Sequence, residues 1–354
     1  MDPRTRHSAG LDVSLEVTHV CVVDGVGKVF REARVISEPA ALVDFFRQLE
    51  VKVSRIGLEA GPLSQWLHAG LTGAGFATEL LETRHVKAAL SAMTVKTDRK
   101  DARGIAQLTR MGWFRSVHAK SASSQEVRAL LVARKQLKKK LIDVELSIRG
   151  ILRGFGLKVG HVTRKDFAAR IQQLVAGQAM LERVAGAMLS ARATLQAEFN
   201  KLHKAMLSIV RADAVCRKFL MTAPGVGPVV AITFKSAVDD PTRIKKSKAA
   251  GALFGLTPKK YQSGETDVTG GITRVGDEMV RTALYEAANV MLSRTTRFSA
   301  LKRAPEVAKR RGMKRAKVAL ARKLAVLLHR IWVDGSAFPG AKFSRPPPRD
   351  PGGN

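Results

Sequence analysis

Thr97-Asp98-Arg99-Lys100-Asp101-Ala102 is the stretch that gives two earlier carboxylates a purpose, and through them a fold. Asp98 and Asp101 stand three apart at the start of a run, Asp98 to Met111, whose spacing predicts a helix with Ile105, Leu108 and Met111 on one face. Residues three apart on a helix share a face, so both carboxylates can point at one spot. Upstream, Asp12 lies in the strand-like Ala9-Gly10-Leu11-Asp12-Val13-Ser14, and Glu59 ends the apolar run Ile56-Gly57-Leu58-Glu59. A carboxylate on a buried strand is costly unless something pairs with it. Two strand acids and a helical pair form a set of hard oxygen donors suited to a divalent cation, Mg²⁺ (or Mn²⁺). Without a cation, like charges about 4 Å apart repel by roughly 4 kcal/mol at an effective dielectric near 20. Taken singly, Asp98 and Asp101 could cap a helix, Asp12 a turn, and Glu59 could pair with a base. Together they predict a metal-dependent, nuclease-like centre.

Outward from these acids the pattern is α/β. Ala9–Val13, Val17–Val23 and Val29–Ile36 read as strands, with turn chemistry at Asp24-Gly25 and Gly27. Pro39 opens a helix with Leu42, Val43, Phe46 and Leu49 at helical spacing. Val53–Glu59 reads as a strand, Gln65–Leu71 as a helix and Phe76–Leu81 as a further strand. This defines a first domain over residues 1–119. Residues 120–213 keep helical periodicity around a Gly-rich break at Gly154, Gly156 and Gly160, and predict a helical hairpin with coiled-coil tendency. Residues 214–335 form a third, mostly helical unit. Its Pro224-Gly225-Val226-Gly227-Pro228 resembles a helix-hairpin-helix turn, where Gly225 and Gly227 would offer backbone N–H groups to a phosphate. In that unit Ala249–Leu256 and Glu278–Leu292 read as helices, Lys259–Glu265 as a polar loop and Lys302–Arg330 as a basic helix. The Pro- and Gly-rich residues 336–354 predict a disordered tail.

The chain of 354 residues carries 61 Lys and Arg against 30 Asp and Glu, a formal net charge of +31. That excess predicts a polyanionic partner, nucleic acid above all. Residues 1–119 carry a net +3, residues 120–213 a net +11 and residues 214–354 a net +17, so bases concentrate away from the acids. Arg99 and Lys100, the run Lys138-Lys139-Lys140, the pair Lys259-Lys260, and Arg274 are the candidate phosphate contacts. Cys21 and Cys216 are the sole cysteines and have no paired spacing, which disfavours zinc or a disulfide scaffold and fits a reducing compartment. No apolar run approaches a membrane span, and Met1–His7 lacks a signal-peptide core, so a cytoplasmic, nucleoid-associated protein without membrane contact is expected.

In order, these motifs resemble the one-hundred-and-ten insertion-sequence family of transposases, related to the pilin-gene invertases. Gly10-Leu11-Asp12-Val13-Ser14 is similar to the family's first acid segment, Leu58-Glu59-Ala60 to its second, and Lys96-Thr97-Asp98-Arg99-Lys100-Asp101-Ala102 to its closing pair. Pro224-Gly225-Val226-Gly227-Pro228, Gly255-Leu256-Thr257-Pro258 and Gly270-Gly271-Ile272-Thr273-Arg274-Val275-Gly276-Asp277 are similar to its C-terminal signature. The resemblance implies a ribonuclease-H-like, RuvC-like domain with a DEDD acid set, followed by a transposase domain with a serine nucleophile. It also implies a structured guide RNA, the bridge RNA, that pairs with the element ends and the target DNA. Ser263, in Gln262-Ser263-Gly264-Glu265, is the best position for that serine. A serine hydroxyl needs activation, which a carboxylate–metal cluster can supply by polarising the phosphoryl group.

Three functions compete on these residues. A recombinase would break and rejoin strands through a phosphoserine link. A Holliday-junction resolvase or simple nuclease would use the same acids to activate water. A non-catalytic nucleic-acid-binding protein would need none of them. Because recombination must hold several strand ends, a homodimer or tetramer is expected.

Overall fold

The computed structural model describes residues 6–294 and 312–338. The chain divides once, into compact units Met1–Ser121 and Ala122–Asn354.

The first unit is built on a five-stranded sheet. Its strands are β1 (His7–Val13), β2 (Val17–Val23), β3 (Val29–Ile36), β4 (Val53–Glu59) and β5 (Thr78–Leu81), in the order β3-β2-β1-β4-β5. β1 to β3 form an antiparallel meander, while β4 runs parallel to β1 and β5 parallel to β4. Side chains alternate between faces. One face carries Leu11, Val20, Val22, Ile56, Leu58 and Leu80, fully covered by Leu42, Val43 and Phe46 of α1 (Pro39–Arg47) and by Leu67 and Leu71 of α2 (Ser64–Gly73). The other face carries Gly10, Asp12, Cys21, Gly57 and Glu59. It is covered by α4 (Asp98–Met111), which follows the short α3 (Thr83–Leu90).

Two glycines decide how closely α4 lies. Gly10 and Gly57 are paired in register on neighbouring strands. A Cβ on Gly10 would stand 2.1 Å from the Ala106 backbone nitrogen, and one on Gly57 would stand 2.0 Å from Thr109 Oγ1. Only a pair of glycines leaves room for the helix backbone. Ala102 and Ala106, the small residues facing them, pack with Cys21 and Val23. Ile105 and Leu108 are buried as expected, but Met111 is 54% exposed. Six residues beyond Ile105 a helix has turned by about 240°, which carries position 111 off the buried stripe.

The second unit opens with two long helices, α5 (Ala122–Gly154) and α7 (Ala179–Ala212), packed against each other as a hairpin. The short α6 (Phe167–Val175) closes its tip, where Ile148, Leu152, Phe167, Ile171 and Leu181 share a small core. At the other end, Leu131, Met206 and Val210 join one larger core with the remaining elements: α8 (Ala214–Lys218), α9 (Pro228–Val238), α10 (Ala250–Leu253), α11 (Glu278–Arg294) and α12 (Met313–Asp334). Residues 122–213 and 214–338 are therefore joined by apolar packing.

Three expectations change here. Lys259–Glu265 is not a loop: β6 (Pro258–Ser263) and β7 (Thr266–Ile272) form an antiparallel hairpin turning at Gly264-Glu265. Every residue of β6 is exposed, so no hydrophobic alternation marks it in the sequence. The helix expected over Ala249–Leu256 is confined to Ala250–Leu253, because Gly255 adopts a left-handed φ of +63°. Phe338, within the expected tail, is buried, and its N–H donates to Thr222 Oγ1 at 2.8 Å. Residues 302–311 of the expected basic helix and 339–354 of the tail lie outside the described residues.

Candidate active site

The face that accepts α4 also gathers the acids. Leu11 pairs with Leu58, so Asp12 and Glu59 reach the same level on adjacent parallel strands, two residues beyond Gly10 and Gly57. α4 starts over that level. Thr97 caps it by accepting from the Lys100 N–H at 3.3 Å, and Asp98 and Asp101 occupy its first turn, where a carboxylate is favoured by the helix dipole. The glycines thus let the helix lie down, and its N-terminus brings the second acid pair to the first.

The electrostatics record this convergence. Burial pushes the Asp12 carboxyl up to about 6, and the charges of Asp101, Asp98 and Glu59 add to the rise while His19 opposes it. Burial also raises Glu59, against a Thr83 hydrogen bond and the Lys96 charge, with Asp101 raising it further. Lys96 Nζ stands 3.8 Å from the Asp101 carboxylate, and His19 Nδ1 stands 3.8 Å from that of Asp98. Asp98 is the most open of the two helical acids, its side chain 61% exposed against 16% for Asp101. Among the described residues no three His, Cys, Asp or Glu side chains are arranged to hold a metal ion. By chemistry the four carboxylates suit a hard divalent cation, and their mutual repulsion is what such a cation would relieve.

Sequence reasoning missed three neighbours of these acids: His19, Thr83 and Lys96. His19 was legible in principle. Four residues separate Val13 from Thr18 in the β1–β2 turn, and that register pairs Asp12 with His19 across the strands. Thr83 and Lys96 depend on loops whose course the pattern does not give.

The basic candidates fall in different settings. Arg99 does not stand free, because Arg99 Nε donates to Glu32 at 2.7 Å and Arg103 grips the same carboxylate. The Arg103 hydrogen bond leads in holding Glu32 down at about 2. Lys100 is exposed, as are Lys138, Lys139 and Lys140 on α5 and Lys259 on β6. Lys260 pairs with Asp267 at 3.2 Å across the hairpin. Ser263 is exposed at the end of β6, in the second unit, whereas the four acids belong to the first.

The C-terminal motifs make close contacts along α11 and at its entry. A Cβ on Gly225, whose φ is +73°, would stand 2.7 Å from the Ala287 carbonyl of α11, so this glycine serves packing. Gly227 is the N-cap of α9 with open space before its Cα. Gly255 and Gly276 interlock with Arg274-Val275 and Leu253, and the Arg274 N–H donates to the Gly255 carbonyl at 3.1 Å. Asp277 caps α11 and takes an ion pair from Arg128 at 2.5 Å. Arg274 is exposed at a left-handed φ of +55°.

An α/β unit bearing the four acids and a basic helical unit fit a DNA-processing enzyme, and comparisons with known proteins give its class, a transposase. Residues 9–156 match the DEDD transposase model of the IS110 type, and residues 217–303 match the model of the transposase IS116/IS110/IS902 family. The chain belongs to that family of transposases. It is 29% identical over 329 residues to the transposase for insertion sequence element IS1111A of Coxiella burnetii, covering 90% of this chain and 87% of that protein. It is 27% identical over 288 residues to a probable family 20 transposase of Pseudomonas aeruginosa, covering 80% of this chain and 83% of that protein. Among the described residues no helix is long and apolar enough to cross a membrane.

Proposed function

We propose that this transposase breaks and rejoins DNA through a RuvC-like acid centre and a serine nucleophile, guided by a structured RNA that pairs with the element ends and the target. The observation that carries the reading is the placement of Asp12 and Glu59 at one level on adjacent parallel strands, with Asp98 and Asp101 in the first turn of the helix that covers that face. Asp12, Glu59, Asp98 and Asp101 would hold the divalent cation, Mg²⁺ or Mn²⁺. When bound, it supplies Lewis-acid stabilisation of phosphoryl oxygens. Lys96 partly neutralises Asp101, while Thr83 secures the chain just after Glu59 by donating to the Ala60 carbonyl. In the second unit, Ser263 Oγ forms an ester bond to phosphorus as a sugar–oxygen bond to that phosphorus breaks. A hydroxyl of the partner strand then displaces Ser263 and restores the phosphodiester. Lys100, Lys138 to Lys140, Lys259 and Arg274 contribute phosphate contacts, and a homodimer or tetramer in the cytoplasm gathers the strand ends.

A resolvase-like nuclease is the second reading, favoured by the exposure of Ser263 on an open hairpin, which leaves water as a possible nucleophile. Denaturing electrophoresis with end-labelled element DNA separates the two. The recombinase yields a protease-sensitive protein–DNA band that Ser263→Ala abolishes while DNA binding persists. A band that survives Ser263→Ala moves the nucleophile elsewhere, and free ends alone support the nuclease.

A further inference from the structure

The sheet face that carries the acids continues past them. Pairing in register runs from Asp12 on β1 to His19 on β2 and to Arg34 on β3. Directly paired residues share a face, so the row that starts among the acids ends on an arginine. One row along, Gly10 is followed by Cys21 and Glu32, and Glu32 is the carboxylate gripped by Arg99 and Arg103 of α4. Between these rows lies a cavity of about 290 Å³ lined by His19, Glu32, Arg34 and Arg99. His19 joins it to the acids, being the cross-strand partner of Asp12 and 3.8 Å from Asp98.

The charges in this cavity do not cancel. Glu32 offers one negative charge, which Arg99 and Arg103 already share. Arg34 is exposed and forms no ion pair among the described residues. Arg99 is held by its Nε–H bond to Glu32, which fixes the plane of its guanidinium. A fixed guanidinium loses little freedom when it binds a phosphate, and arginine suits that geometry better than lysine does. Neighbouring strands are about 4.8 Å apart, which puts the Arg34 backbone roughly 10 Å from that of Asp12. Arg34 is thus placed for a phosphate beside the reacting one.

We propose that the cavity between β3 and the first turn of α4 is a phosphate subsite, in which Arg34 and Arg99 hold a DNA strand one or a few nucleotides from the acid centre. This rests on the acids being the reaction centre and names the path by which a strand leaves it.

The test uses the full chain without divalent metal and a fluorescein-labelled single-stranded oligonucleotide, read by anisotropy across a salt series. Losing one phosphate contact on a single strand flattens the slope of log K against log salt by about 0.7. Arg34→Ala is expected to show that flattening. Arg31→Ala, exposed on the opposite face of the same strand, is expected to leave the slope unchanged. A scan of oligonucleotides with one neutral methylphosphonate then locates the contact: one position weakens wild-type binding several-fold and is silent in Arg34→Ala. An unchanged slope in Arg34→Ala, equal flattening in Arg31→Ala, or equal losses in both proteins at every methylphosphonate position overturns the subsite. Since neither metal nor reaction enters this readout, the subsite can fail while the acids retain their role. Recombination by Asp12→Ala tests that role separately.

Discussion

Asp12 and Ser263 are both polar side chains on strands, yet opposite means hold them. Asp12 stands on a central strand of a sheet covered on both faces, between Gly10 and a helix whose backbone would collide with any larger residue there. Ser263 ends a two-stranded hairpin that is exposed along nearly its whole length. An isolated two-stranded ribbon is marginal in water, and this one is anchored at its base, where Thr273 and Arg274 bond back to Thr257 and Gly255. The setting of Asp12 is therefore fixed by the core of its own unit. Ser263, the proposed nucleophile, stands where a bound strand, rather than protein packing, would complete the surroundings.

That contrast breaks most sharply under substitution of the acids. Alanine at Asp12, Glu59, Asp98 or Asp101 is expected to lower recombination at least about a thousand-fold, and double mutants to be scarcely worse than singles, because residues that act as a unit lose activity non-additively. Strand-exchange assays on single and double variants check this; near wild-type turnover in the Asp12 or Glu59 variant removes the shared site.

The packing side of the comparison is next in size. Gly10→Val inserts side-chain atoms where even a Cβ would stand 2.1 Å from the α4 backbone, and is expected to cost about 3 kcal/mol. Gly264→Ala, with open space at its Cα despite a φ of +55°, should cost about 1 kcal/mol. Urea unfolding of the two variants measures both, and equal costs would erase the distinction between a packed and an open site.

A smaller effect concerns pH. Glu32 falls from the ordinary 4.5 to about 2 on folding, because Arg103 and Arg99 bind its ionised form. The stability this contributes is present above about 4.5 and drains away as pH falls through about 2. Glu32→Gln should therefore narrow its stability gap to wild type between those pH values. A gap that stays constant from pH 6 to pH 2 contradicts the Glu32 grip.

Much of the first unit was legible because its pattern is redundant. Val17–Val23, Val29–Ile36 and Val53–Glu59 appear as strands over the spans expected, and Asp98–Met111 as the expected helix. There, alternation, turn residues and capping all point the same way. What the pattern could not give was the packing role of Gly10 and Gly57, since a glycine in a strand reads equally as weakness, bulge or close approach. It also hid the β6–β7 hairpin, whose two exposed faces remove the alternation that announces a strand. Arg99, expected to touch phosphate, also donates to Glu32 across 67 positions of sequence, a contact no local pattern reports.

The four acids are proposed to act as one cation site between the sheet and α4. Thermal unfolding of the full chain with and without Mg²⁺ tests it most directly, in wild type and in Asp12→Asn. Ligand binding to the folded state alone stabilises by about 2.7 kcal/mol at a hundredfold excess over Kd. Mg²⁺ is predicted to raise the wild-type Tm and leave that of Asp12→Asn in place. Without metal, Asp12→Asn should melt above wild type, because it removes one of the mutually repelling charges. An equal Mg²⁺ shift in both proteins would contradict the account.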